Sequence, residues 1–589
     1  MFCTEQLLPR PRHIQHCEGI CVLEVPGRLV PCASAEKGCA WLLKRLGMAW
    51  QSGVGVAIRC ARDAQYAAQA YRVRVMPYEI VLEAADEAGF FYAAVTLSKL
   101  IEFGQGRLPC CVIDDAPDFP VRGVMLDVSR DKVPTLETLY GLIDRFAELK
   151  LNHLQLYMEH TFAYRGHEEV WADASPFTGD EIRMLDRYCG ERCIELVPNQ
   201  NSLGHLEQWF AHSRYLELAE LPHGGAPLPW GGCQEKPSCL SPSDPQSLVF
   251  LEGLYDQLLP CFTSRLFNVG GDEPFDLRGP GKSAARVKAV GEGRVYLDFM
   301  LELYQRVKAR GFQMAFWGDI IINHPELIPE IPHDVVVLEW GYEADHPFDA
   351  HGARFAAAGV PFYVCPGSAS WNALSGRADT AEANLKSAAR YGLKHGACGM
   401  IVCDWGDGGH WQPLAISYVP FARAAAYSWG LAQNEALDIP ARADGYLTQG
   451  FGRILDALGR VHLLSGATRG NSTELFHILS KPRSRPLLAG ITLDSLQAVD
   501  AAVSQIEKAV AGVRAATVDE ARIVRAEILH ACRLVHAACQ RGTVIIAKRD
   551  DPDWHKTVAQ IKAAHEQVWR LRNRTGGLAD SLARFEKID

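Results

Sequence analysis

Three patterns of apolar and polar positions succeed one another along the chain. In residues 1–117, Tyr71-Arg72-Val73-Arg74-Val75 and Tyr78-Glu79-Ile80-Val81-Leu82 alternate as half-buried strands do. Asp86-Glu87-Ala88-Gly89 reads as a turn, and Phe90 to Phe103 places apolar residues at helical spacing. These runs predict a small N-terminal α/β domain, closed by the polar, Pro-rich stretch from Asp114 to Pro120. Between 118 and 435 the alternation disappears. Eight continuous apolar runs of strand length follow, nearly all trailed by a helical segment: Val121–Ser129, His153–Met158, Cys193–Asn199, Leu266–Gly271, Gln313–Gly318, Asp334–Gly341, Pro361–Gly367 and Cys398–Asp404. Strands without alternation are buried on both faces, as in a parallel sheet, and eight β-then-α units predict a (β/α)8 TIM barrel. From 436 to 589, apolar residues at i, i+3, i+4 and i+7 over Ser495–Val513, Val518–Gln540 and Trp554–Arg572 predict a C-terminal α-helical domain for packing or dimerisation.

Composition narrows the function. The 589 residues are 48% hydrophobic and 22% charged, an ordinary globular mix. A net charge of −10 points away from nucleic acid, which wants clustered Lys and Arg. No run approaches the ~20 apolar residues of a membrane span. The chain opens without a basic start and apolar run, so a cytoplasmic location is expected, with the 18 Cys as reduced thiols. His13, His16, Cys17 and Cys21 have poor metal-ligand spacing and no second pair follows, so no metal is expected.

In such a barrel the chemistry sits at the C-terminal ends of the strands. Acids stand at the ends of strands one (Asp127), two (Glu159), four (Asp272, Glu273), five (Asp319), six (Glu339) and eight (Asp404, Asp407). Trp stands at the ends of strands five to eight, as Trp317, Trp340, Trp371 and Trp405. Aromatic faces with carboxylates between them suit a sugar ring, which stacks its C–H faces and offers hydroxyls to acceptors. The sharpest motif is Gly270-Gly271-Asp272-Glu273. Adjacent carboxylates on an extended strand point to opposite faces, and the glycines let the backbone turn so that both reach one pocket. Two acids that close raise one carboxyl pKa, which suits a general acid.

These residues resemble family-20 glycoside hydrolases, the β-N-acetylhexosaminidases, over roughly 70 to 430. Gly270-Gly271-Asp272-Glu273 is similar to that family's signature, and the stretch from Arg122 to Arg130 resembles its first barrel strand. The resemblance implies that Asp272 and Glu273 are catalytic. Arg130 and Asp407 would hold sugar hydroxyls, Trp317, Trp340 and Trp405 would wall the terminal-sugar subsite, and Asn201 and His205 lie in the loop that supports the acid. The chain departs from the family in four places. Asn268 replaces a usual His, Asn201 a usual Asp, Glu159-His160 a usual Asp, and Trp371-Asn372 a Tyr that donates to the acetamido oxygen. Trp371, Asn372 and Tyr342 are the candidate donors. These departures resemble a bacterial branch with a helical C-terminal domain, often dimeric, which implies a homodimer.

The activity implied is exo-hydrolysis of a non-reducing terminal β-linked GlcNAc or GalNAc on a glycan or glycoconjugate, with retention and without a cofactor. The substrate's own acetamido oxygen is the nucleophile, oriented by Asp272, and Glu273 is acid then base. Three alternatives remain open: a retaining glycosidase with Glu339 as nucleophile, a non-catalytic sugar-binding barrel, and a nucleotide site at Gly279-Pro280-Gly281-Lys282-Ser283, where Asp276 stands in place of the first P-loop glycine.

Overall fold

The structure, a computed structural model, describes residues 3–23, 28–46, 56–513 and 519–588. The N-terminal region is a six-stranded mixed sheet crossed by the helix Glu87–Gly104. Tyr71–Val75 and Glu79–Ala84 form the antiparallel pair that the alternation anticipates. Asp86, read as a turn, is the helix N-cap: its carboxylate accepts from the Gly89 N–H, satisfying one of the helix's free donors.

The barrel holds all eight expected strands: Val121–Asp127, His153–Tyr157, Glu195–Val197, Leu266–Asn268, Gln313–Trp317, Val336–Trp340, Phe362–Cys365 and Gly399–Asp404. Neighbours pair in parallel from the fourth through the eighth and on through the first to the third. A parallel bridge between Asn199 and Asn268 joins the third strand to the fourth. Asn268, the His replacement, has a role at this seam. Its amide and that of Asn199 both donate to Gln155 Oε1, at 3.0 and 3.1 Å, and its Oδ1 accepts the Gly270 N–H at 2.9 Å. The floor of the barrel is fastened to the N-terminal region by Arg122. This fully buried guanidinium donates to Tyr92 Oη and to the carbonyls of Phe119 and Lys150.

The C-terminal region is helical, with Leu493–Gly512, Asp519–Ala547, Trp554–Trp569 and Leu578–Glu586 as its main elements. Val518, the expected start of the second, lies outside the described residues. The region grips the barrel mouth. Thr135 N–H donates to Arg572 O, Arg574 N–H to Val133 O, and Ser581 Oγ to Gly409 O. Arg572 is itself clamped by Glu520 and Glu527 at 2.8 and 2.9 Å. No described helix is long and apolar enough to cross a membrane.

Candidate active site

The fourth strand ends in the turn that the glycines foreshadow. Gly270 and Gly271 have φ of +73° and +89°, and Glu273 itself sits at +47°. A Cβ at Gly270 would fall 1.5 Å from Asn201 Oδ1, so the turn fits only glycine there. Asn201 spends its amide on Tyr157 Oη at 2.6 Å. It packs the turn and makes no hydrogen bond to His205 among the described residues, so the family's usual acid–His support is altered, as an Asn at this position implies. His205 Nδ1 instead faces Arg130 Nη2 at 3.4 Å, and its Nε2 lies 3.1 Å from Asp272 Oδ2 and 3.5 Å from Glu273 Oε2.

The two acids have separate environments. Asp272 is only 5% exposed. Burial favours its neutral form, but the His205 imidazole and the Arg130 guanidinium outweigh it and hold the carboxyl below its usual range. Its Oδ1 is buried and has no hydrogen-bond partner among the described residues. The Glu273 side chain is 31% exposed and borders the mouth. Burial and the Asp272 charge raise its pKa, with His205 opposing, so it is the group suited to donate a proton. His205 pays the reciprocal shift: burial and Arg130 disfavour its charge, yet Asp272 and Glu273 lift it to about 10.

Arg130 is the hub of the opposite wall. It lies 3.0 Å from Asp127, 3.3 Å from Glu159 and 3.5 Å from Asp407, between the rings of Tyr157 and Trp405. Asp127 caps the first strand by accepting the N–H groups of Ser129 and Arg130, and reaches across to the Gly406 N–H. Burial raises Glu159 to about 7, against the pull of Arg130 and His205. Burial likewise raises Asp407, with Arg130 opposing.

Trp317, Tyr342, Trp371 and Trp405 share one buried cluster inside the barrel, with Trp340 packed against it. Trp340 stacks on Tyr342 at 5.0 Å, and Trp317 meets Trp405 at 6.1 Å. The three candidate donors separate here. Trp371 is fully buried behind Tyr342 and gives its indole N–H to Asn471 at 2.9 Å. Asn372 lies against Gly408, beside Trp411 and Phe476. Tyr342 Oη accepts from Trp405 Nε1 at 2.8 Å, and its own proton has no acceptor among the described residues. His160 also leaves the group. Burial lowers it to about 4, and it borders a polar recess with Asp131 and His212.

Two alternatives lose their footing. Glu339 follows Leu338, which faces the barrel interior, and shares the outward side of Val337, which joins the helix-facing core. It accepts from His346 and His351 at 2.8 and 2.5 Å and is no nucleophile for the lumen. The P-loop-like stretch is filled by the chain's own acids: Ser283 gives its N–H and hydroxyl to Glu220, and Lys282 pairs with Asp244. Sequence reasoning noted Asp319 only as a strand-end acid. Its Oδ2 accepts the Glu273 N–H and its Oδ1 the Trp340 indole, both at 3.2 Å. Burial, then Asp272 and Glu273, push it well above the carboxylate range. The signal was its place two residues past Trp317, on the same side of the strand.

A paired carboxylate, an arginine ringed by acids and an aromatic cup at the mouth of a parallel barrel define a glycoside hydrolase. The comparisons agree. Residues 119–414 match the model "Glycosyl hydrolase family 20, catalytic domain", and residues 5–116 match "Glycosyl hydrolase family 20, domain 2". The chain belongs to glycoside hydrolase family 20. A Vibrio furnissii "Beta-hexosaminidase" is 26% identical over 387 residues, 57% of this chain and 60% of that one. A Bifidobacterium bifidum "Lacto-N-biosidase" is 24% identical over 307 residues, 50% of this chain and 26% of that one. The matches thus span from about a quarter to three fifths of these relatives' length. Among solved structures, a Vibrio harveyi exo β-N-acetylglucosaminidase superimposes with a TM-score of 0.61 at 18% identity, covering 78% of each chain. A Flavobacterium johnsoniae chitobiase does so at 0.60 and 17%, over 97% of this chain and all of that one. At these identities the structural likeness speaks for the fold.

Proposed function

We propose that the protein is an exo-acting, retaining β-N-acetylhexosaminidase that removes a terminal non-reducing β-linked GlcNAc or GalNAc through substrate assistance. The observation that carries the reading is Asp272 Oδ1, a buried carboxylate oxygen with no hydrogen-bond partner among the described residues, in a site where positive charge must develop. An acetamido N–H satisfies it. The acetamido oxygen then lies free to attack C1, with the unclaimed proton of Tyr342 Oη as its donor. Glu273 protonates the leaving oxygen, which departs as the alcohol. It then takes a proton from the water that opens the oxazolinium ion. The Asp272 charge stabilises that cation through the orienting N–H. Arg130, Glu159 and Asp407 hold ring hydroxyls, and Trp317, Trp340 and Trp405 enclose the ring and the acetamido methyl. The outward aim of Glu339 favours this reading over a protein nucleophile.

The test is a panel of aryl glycosides with and without the 2-acetamido group, run with a thiazoline mimic of the oxazoline. Turnover confined to the acetamido sugars and strong thiazoline inhibition are expected. Comparable turnover of plain glucosides, or a 2-fluoro sugar trapped on a carboxylate of the chain, overturns the mechanism.

A further inference from the structure

The outward carboxylate of Glu339 has company that the glycosidase chemistry does not use. It is 1% exposed, and its Oε1 receives two imidazoles: His346 Nε2 at 2.8 Å and His351 Nδ1 at 2.5 Å. Among the described residues no Lys or Arg pairs with it. His346 stands in the loop after the sixth strand, and His351 in the helix Phe348–Ala358 that follows. Their rings are 5.3 Å apart and nearly perpendicular, at 86°. Gly341 makes this possible, because a Cβ there would lie 2.0 Å from His346 Nδ1. Phe348 holds the other side of the His346 ring at 4.5 Å.

We propose that Glu339, His346 and His351 form a site for one divalent transition-metal ion of the zinc class. The three donor atoms lie within 4.8 Å of one another, the only such group among the described residues. Tetrahedral zinc, with bonds of about 2.0–2.2 Å, sets its ligand atoms about 3.4 Å apart, so shifts of less than about 1 Å seat the ion. Two imidazoles and a carboxylate are a donor set for zinc and its first-row neighbours, and not for calcium or magnesium. The histidine side chains are 18% and 19% exposed, which leaves the fourth position open to water. Because Glu339 faces the helical layer, the ion takes no part in bond cleavage. It staples the end of the sixth strand to the next helix and so fixes the loop that carries Tyr342.

The experiment is metal analysis of the full chain after chelator stripping and re-equilibration with Zn2+, beside His351→Ala and Glu339→Gln. One zinc per chain is expected, with affinity at least about 100-fold weaker in each variant, since loss of an outer-shell partner alone costs 10–100-fold. Wild-type Tm should rise with zinc, and the variants' should not. Cobalt substitution of the unmutated protein guards against a variant that fails to fold: visible bands of an N/O tetrahedral site are expected. No retained zinc, equal retention in the variants, or thiolate charge-transfer bands in the cobalt form each overturn the proposal. None of these readouts depends on turnover, so the proposal stands or falls apart from the glycosidase mechanism.

Discussion

Replacing Asp272 by Asn keeps the shape of the side chain and removes its charge, and the consequences can be sized from the site. His205 Nε2 lies 3.1 Å from Asp272 Oδ2, and the imidazole's pKa rises from 6.5 to about 10 although burial and Arg130 oppose its charge. That rise corresponds to a net bias of about 5 kcal/mol toward the charged imidazole, the pull of Asp272 and then Glu273 exceeding the cost of burial and Arg130. In the variant only Glu273 opposes burial, so the His205 midpoint should fall by about 3 pH units or more. The folded pKa lies above the unfolded one. The stabilisation is therefore complete below pH 6.5 and is lost as pH rises through about 10. Wild-type stability should decline across that window, and Asp272→Asn should show little of the decline. Turnover should fall about 10²–10³-fold, as for loss of one preorganised group facing transition-state charge. Aryl release from an aryl β-GlcNAc reads the rate, and NMR titration of His205 reads the midpoint. Turnover within tenfold of wild type, or a His205 midpoint that does not move, refutes the argument.

Other expectations follow from the same geometry. Burial and Asp272 raise Glu273, so activity should fall on an alkaline limb that begins above the usual carboxylate range, and Glu273→Gln should lose that limb with most of the turnover of poor leaving groups, as a pH–rate profile with phenyl and nitrophenyl substrates would record. Tyr342→Phe should lower kcat about 10²-fold with the acetamido substrate, whereas Trp371→Phe, which loses the bond to Asn471 and shrinks a fully buried ring packed edge-on against Tyr342, should cost about 2–4 kcal/mol of stability and less kcat than Tyr342→Phe in paired kinetics and denaturant melts. Arg572→Met leaves Glu520 and Glu527 without their shared cation and should destabilise the chain by about 3–5 kcal/mol in urea unfolding.

Much of this was legible because barrels announce themselves. Eight apolar runs located eight strands, and reading their last residues collected Arg130, Glu159, Asp272, Glu273, Trp317, Trp340, Trp405 and Asp407 around one mouth. The same burial hid which way each residue faces. In Val336–Trp340 a continuous apolar run offers no inside–outside code, so Glu339 read as a lumen acid although it faces the helices. The partners of Trp371 and Asn201 were hidden for another reason: Asn471 and Tyr157 lie 100 and 44 residues away and come together with them only on folding. Asp319 needed the Glu273 turn in space before its place beside the acid pair was visible.

The grip of the last helices on the barrel mouth bears on where this protein can be divided. Residues 119–414 hold the family's catalytic model and every acid discussed for the sugar site. Yet the loop that presents Arg130 is held by backbone bonds from Arg572 and Arg574, and the Gly409 carbonyl beyond Asp407 by Ser581. A chain trimmed to the barrel would keep its chemistry in sequence and surrender the shape of its binding cup. The catalytic module, measured by what holds its first and eighth loops in place, is more than 150 residues longer than the segment that defines its ancestry.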